Sequence, residues 1–177
     1  SEGDLMLDGK RVNAPEKGAL RECLVAGLLC NDSNLQKRDG VMTVGGDPTE
    51  GALIVAAQKA GLNRQELEND IVRVDTIPFE SQFQYMATLH SFKKGDFQGK
   101  IMYIKGSVDV LLPRCKTSLD GEGNPIDIHP EEVTRVVEAM AAQGLRVLAF
   151  ARKVLPVETT AISREDTEDD LVFLGLQ

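Results

Sequence analysis

The chain has 177 residues, 42% apolar and 27% charged, with a formal net charge of -8. This is the composition of one folded domain with its own core, not of a disordered segment. The acid excess argues against a general nucleic-acid binder, which would present a basic surface, but leaves room for a local basic pocket for one anionic ligand.

The sequence starts at Ser1, not at methionine, which suggests an excised or processed piece. No signal peptide is evident, and the longest apolar run, Leu24 to Cys30, is too short to cross a bilayer. Cys23, Cys30 and Cys115 are an odd number with no metal-ligand spacing, which points to a reducing compartment.

In chain order, Asp4 to Ala14 predicts a small hairpin around Asp8-Gly9, a favoured turn pair. Pro15 opens a helix to about Cys30, with Leu20, Cys23, Leu24, Gly27 and Leu28 on one apolar face. Asn31 to Gly40 is polar and reads as loop; Val41 to Val44 reads as a short strand. Asp47-Pro48-Thr49-Glu50 then has the form of a helix start, with Asp47 as N-cap, Pro48 first in the helix and Glu50 positioned to complete a capping box. That helix runs to Ala60 and stops at Gly61. The carboxylate of Glu50 is therefore either a cap or an acceptor for a ligand amine, such as that of adenine.

Asn63 to Asn69 predicts a short helix, and Ile71 to Ile77 a strand ended by Pro78-Phe79. A second strand follows from Phe83 to Phe92, then a hairpin loop from Lys93 to Gly99. Phe79 is a core plug or a stacking surface for a flat ligand; core packing is the default for an aromatic ring. His90 is expected on a sheet surface. With His129 so distant, the two histidines make no metal site by spacing.

Ile101 to Ile104 is a buried strand leading into Lys105-Gly106, with Ser107 placed to cap a short helix from Val108 to Leu112. A lysine and a glycine at the mouth of a helix supply a cation and a backbone that a ring or phosphate can approach. The same residues also suit an ordinary strand-turn-helix corner. Asp120 to Pro125 is a turn, His129-Pro130 starts a helix that Gly144 stops, and Leu145 to Val154 is a strand with Arg146 near its start. Glu158 to Asp170 reads as a solvated connector, and Leu171 to Leu176 as a last strand that stops on an apolar pattern, as though it continued into another domain.

No catalytic constellation emerges: there is no phosphate loop, no dinucleotide fingerprint and no serine elbow. What remains is a set of nucleotide-compatible pieces in a definite order. They are Gly46-Asp47-Pro48-Thr49-Glu50-Gly51-Ala52-Leu53, Ile77-Pro78-Phe79-Glu80-Ser81 with Tyr85-Met86-Ala87, Tyr103-Ile104-Lys105-Gly106-Ser107 with Leu111, Leu112, Arg114 and Cys115, and Gly144 to Ala151. With the terminal Leu171 to Leu176 strand, this order resembles the nucleotide-binding domain of P-type ATPases, especially the type II, calcium-pump-like cation pumps. The likeness covers nearly the whole chain.

The resemblance implies an α+β fold, an antiparallel sheet flanked by helices, with residues 1–177 forming a single nucleotide-binding domain of a larger cytoplasmic region. It implies ATP binding by Thr49, Glu50, Phe79, Gln84, Met86, Lys105, Gly106 and Arg146. Phe79 would stack on adenine and Glu50 would accept from its amino group. Lys105 would line the far side of the base pocket, Gly106 would admit the ring, and Arg146 would reach the phosphates.

In the whole pump, Mg-ATP would be presented to an aspartate of a separate phosphorylation domain; that domain and the actuator domain of the same chain would be partners. The family's Asp-Lys-Thr-Gly-Thr motif does not occur here, so the fragment should bind ATP without hydrolysing it, and no catalytic or metal-binding residue is expected in it. Gln84 stands where many members have lysine, which removes a positive charge near the phosphates. Ser107 replaces the usual alanine of the family's Lys-Gly-Ala turn. Nucleic acid and direct membrane contact are not expected for this domain. Two other readings are a non-catalytic protein-interaction domain with a degenerate pocket and a free-standing small-molecule kinase; the latter would need a phosphate loop or clustered metal carboxylates.

Overall fold

The computed structural model describes residues 5–7, 10–12, 18–38, 41–94 and 97–177. Its elements in order are β1 (Leu5–Leu7), β2 (Lys10–Val12), α1 (Ala19–Leu29), β3 (Asn34–Arg38), β4 (Val41–Gly45), α2 (Pro48–Lys59) and α3 (Arg64–Asp70). They continue as β5 (Ile71–Glu80), β6 (Tyr85–Lys94), β7 (Phe97–Gly106), α4 (Val108–Leu111), β8 (Cys115–Leu119), β9 (Pro125–Asp127), α5 (Pro130–Ala141), β10 (Ala149–Leu155) and β11 (Leu171–Leu176). The expected turn at Asp8-Gly9 and the helix start at Pro15 lie outside the described residues, as do residues 95 and 96; the rest of the expected hairpin loop, 93–94 and 97–99, belongs to β6 and β7.

The main sheet has seven strands in the order β5-β6-β7-β10-β11-β8-β9. Five of its six pairings are antiparallel, and the α+β class expected from the sequence holds. The sixth, β8 with β11, is parallel, so the sheet is mixed. Its long connection is what allows the parallel pairing, since parallel neighbours cannot be joined by a tight turn.

The sheet separates two apolar clusters. On one face Met86, Ile101, Tyr103, Phe150 and Leu174 pack beneath α1. On the other, Tyr85, Met102, Ile104, Ala149 and Phe173 pack with Leu111 of α4. Every residue of α1 from Cys23 to Leu29 is buried, because the helix lies between the sheet and α2 and so has no solvent side there. Leu20, expected on the apolar face, is exposed. Burial pushes the Cys23 thiol up to about 12 and raises that of Cys30 as well, which fits structural thiols.

Several expectations change. Asn34–Arg38, read as loop, pairs with β4 as a hairpin strand. His90, expected on a sheet surface, is buried, with Nε2 2.9 Å from Thr88 Oγ1. Burial first, then the charges of Arg73 and Arg64, push its pKa down to about 3. Residues 145–148, read as strand, lie outside β10. The charged connector after β10 is no solvated tether: it contains a short 3₁₀ turn, Glu165–Thr167, with Thr167 fully buried.

Candidate functional site

The helix start at Asp47 forms as the sequence predicts. The Asp47 carboxylate accepts from the backbone N–H groups of Thr49 at 2.8 Å and Glu50 at 3.1 Å. The bond from Glu50 N–H chiefly holds that carboxyl below its ordinary range. The reciprocal half of the capping box is absent, because the Glu50 carboxylate has other partners. It accepts from Asp32 N–H at 3.1 Å and Ser33 Oγ at 2.9 Å, and it is ion-paired with Lys105. Capping is therefore the work of Asp47, and Glu50 turns its carboxylate inward.

The donors to Glu50 are held by the polar segment that follows α1, which reads as plain loop in the sequence. Asn31 is fully buried; its amide donates to the carbonyls of Gly27 and Glu50, and its oxygen accepts from Ser33 N–H. It thus ties the end of α1 to the start of α2. Two arginines hold the same segment: Arg64 donates to the carbonyls of Ser33 and Asn31, and Arg73 to those of Leu29 and Asn31 and to the Asp32 carboxylate. A polar Asn-Asp-Ser run directly after a buried apolar helix was the available signal.

Lys105 is 6% exposed. The strand register places it between Met86 of β6 and Phe150 of β10 on the same face, so its stem is enclosed by apolar neighbours. Gly106 is needed for a reason internal to the fold. A Cβ there would lie 2.5 Å from Gln84 O and 2.7 Å from Tyr85 Cβ, so the closeness of β6 already demands glycine. Ser107 occupies the N-cap position of α4 but makes no side-chain cap bond.

Phe79 is 55% exposed, so it is not a core plug. Its strand continues through Pro78 to Glu80, beyond the expected end at Ile77, with a register shift between Ile77 and Glu80. β5 is an edge strand of the sheet, and a bulge on an edge tolerates proline and redirects the next side chain. Phe79 is aimed outward for that reason. Arg146 follows the turn made by Gly144, whose φ is 76°, and makes no hydrogen bond or ion pair among the described residues.

Thr49, Glu50, Phe79, Gln84, Met86, Lys105, Gly106 and Arg146, drawn from four separate stretches of sequence, all line one cleft of about 520 Å³. Val108, Val137, Val147 and Leu148 add apolar lining, and Asp32, Asp47 and Asp109 add carboxylates; none of these is among the ATP-binding residues expected from the sequence. The volume is within the range typical of small-molecule sites. A larger groove, about 740 Å³, lies elsewhere around Glu22, Tyr103 and Arg152 and contains none of the eight.

Residues 19–177 match the family model for the P-type ATPase cytoplasmic domain N. The chain belongs to this family. The N domain is 50% identical over 158 residues, 89% of its length, to the cation-transporting ATPase pma1 of Synechocystis sp.. It is 37% identical over 96% of its length to a calcium-transporting ATPase of Listeria monocytogenes. With the probable cation-transporting ATPase F of Mycobacterium tuberculosis it shares 40% identity over 78% of its length. The N domain spans only 15% to 19% of these relatives. No helix among its described residues is long and apolar enough to cross a membrane.

Proposed function

We propose that this N domain, taken as one unit of 177 residues, binds ATP in the cleft between the start of α2 and the β5–β6 turn. Within a longer cation-transporting P-type ATPase it would present the γ-phosphate to an aspartate on a separate phosphorylation domain. The observation that carries the reading is the meeting of an exposed aromatic ring, a held carboxylate and the Arg146 guanidinium, which makes no hydrogen bond or ion pair among the described residues, around one apolar-floored cleft.

Phe79 offers a π-face to the base, with Met86 as floor. A carboxylate has about four lone-pair sites, and Glu50 uses three for Asp32, Ser33 and Lys105. The remaining one suits the exocyclic amine of adenine, whereas guanine presents a carbonyl at that ring position. Arg146 is the cation open to phosphate. Asp47 and Asp109 oppose phosphate, so unaided ATP binds weakly. The magnesium of Mg-ATP meets no group of three or more His, Cys, Asp or Glu among the described residues that could hold it. In this reading it arrives with the nucleotide and is held mainly by the neighbouring domain.

Titration of the chain with ATP, adenosine and GTP tests the reading. ATP without magnesium should bind with Kd on the order of 0.1–1 mM, about -4 to -5.5 kcal/mol. Adenosine should retain much of that, and GTP should bind more weakly. No ATP binding by about 10 mM, a free energy of roughly -2.7 kcal/mol, would overturn the reading in favour of a non-catalytic interaction domain.

A further inference from the structure

We infer that Arg164 is a positioning residue for the nucleotide cleft, clamping from behind the β5–β6 turn that contains Gln84 and the end of β5 that carries Phe79; the inference rests on the ATP reading above. Arg164 does not line the cleft. It comes from the connector between β10 and β11 and touches the turn at three points. Its guanidinium carbon lies 3.4 Å from the Phe83 ring centroid, one nitrogen is ion-paired with Glu80, and another is 3.4 Å from the Tyr85 hydroxyl. The last residue of β5, the turn and the first residue of β6 are thus held by one planar group.

The turn has need of such a clamp. Gln84 sits at φ 58°, a left-handed conformation that a non-glycine residue keeps only where its surroundings impose it. On the cleft side its carbonyl accepts from Ser107 N–H at 2.9 Å, and its own N–H donates to Glu80 O at 2.8 Å. Arg164 supplies the hold from the far side.

The connector is itself anchored, so the clamp has a fixed base. Ile162 N–H donates to the Asp75 carboxylate at 2.8 Å. Buried Thr167 is 2.9 Å from the Tyr85 hydroxyl, and Arg114 lies 5.0 Å over the Tyr85 ring while donating to the Thr167 carbonyl. Phe79 immediately precedes Glu80, so movement of the Glu80 end of the turn moves the ring that the base would stack on.

The test uses the 177-residue chain with Arg164→Ala, Arg164→Lys, Glu80→Gln and, as control, Arg152→Ala. Arg152 is paired with Glu22 at 2.7 Å in the other groove. Each variant is titrated with ATP and adenosine, unfolded in denaturant, and followed by ligand-free hydrogen exchange of the amides of residues 80–85. Arg164→Ala should weaken both ligands alike, roughly three- to thirtyfold, and speed exchange in the turn. Arg164→Lys, which keeps the charge but loses the planar stack, should fall between it and wild type. Glu80→Gln should also loosen the turn. Arg152→Ala should lower the denaturation midpoint while both affinities stay at wild-type values.

Wild-type affinity and turn exchange in Arg164→Ala would overturn the inference, and so would equal affinity losses in Arg152→Ala. If Arg164→Ala does not fold, Arg164→Lys and Glu80→Gln decide by the same criteria. A wild-type chain that binds neither ligand defeats the nucleotide reading, and the clamp is then judged on turn exchange alone.

Discussion

The two walls of the cleft are held by different means. The Glu50 wall is fixed from inside by Asn31 and Ser33, 0% and 1% exposed, whose hydrogen bonds join α1, α2 and the carboxylate. The Phe79 wall is an edge-strand bulge held by side chains that water still reaches, Glu80 at 42% and Arg164 at 34%. Low dielectric makes a buried polar network costly to break, whereas exposed ion pairs contribute little stability. Damage to the Glu50 wall should therefore appear in folding, and damage to the Phe79 wall in binding.

The largest effect is expected at the inner wall. Glu50→Gln leaves the Lys105 ammonium, 7% exposed, without its anion. Loss of one partner of a buried pair costs 3–5 kcal/mol; with Glu50 itself 16% exposed, about 3 kcal/mol of stability should be lost, read by denaturant unfolding. A loss below roughly 1 kcal/mol would place both walls in the same class.

Acid should loosen the same wall. His90 is neutral when folded, with its pKa lowered to about 3, and is close to the charges of Arg73 and Arg64 that hold the Asn31 segment. The unfolded chain takes up a proton near pH 6.5 that the folded chain refuses until about 3. Stability from this group is present above pH 6.5 and falls as pH drops, by about 1.4 kcal/mol per unit once below 6. His90→Gln should flatten the stability profile between pH 6 and 4, and an unchanged slope would assign acid sensitivity to other groups.

At the outer wall, Phe79→Ala should weaken ATP by about 1–3 kcal/mol, the scale of base stacking. Its folding cost should stay well below the roughly 3–5 kcal/mol of a buried phenylalanine, since the ring is 55% exposed. Paired unfolding and titration check both, and a large stability loss with unchanged affinity would reverse the comparison.

The smallest effects belong to the open charges. Arg146→Ala should weaken ATP by under roughly 1 kcal/mol, adenosine less, with no change in unfolding. Gln84→Lys should tighten ATP modestly, more at low salt. Equal losses of ATP and adenosine in Arg146→Ala would remove Arg146 from the phosphate end.

Much of this architecture was legible because local rules and tertiary packing agree. The Asp47-Pro48 start, the helix stop at Gly61 and the Ile101–Ile104 part of β7 all follow such rules. The residues that gather at the cleft were legible only as an ordered set. What escaped depends on distant partners: Asn34–Arg38 is polar in sequence and becomes a strand through pairing with β4. Nothing local to Ser-Arg-Glu-Asp-Thr shows that Thr167 is buried against Tyr85, or that Arg164 stacks on Phe83. In the sequence, glycine at 106 reads as room for a ligand, while the fold itself requires that room for β6.

The strand order has a kinetic consequence. β5, β6 and β7 are consecutive in sequence and neighbours in the sheet, so they can pair as soon as they are made. β8 cannot: it joins β10 only through β11, and the register pairs Cys115 with Leu171. Closing so long a loop before any contact rewards it is slow, so this corner is expected to form last. In pulsed hydrogen exchange the β6 and β7 amides should be protected before those of β8. Until β11 arrives, Leu119 and Phe173, both buried in the finished domain, are surfaces open to aggregation.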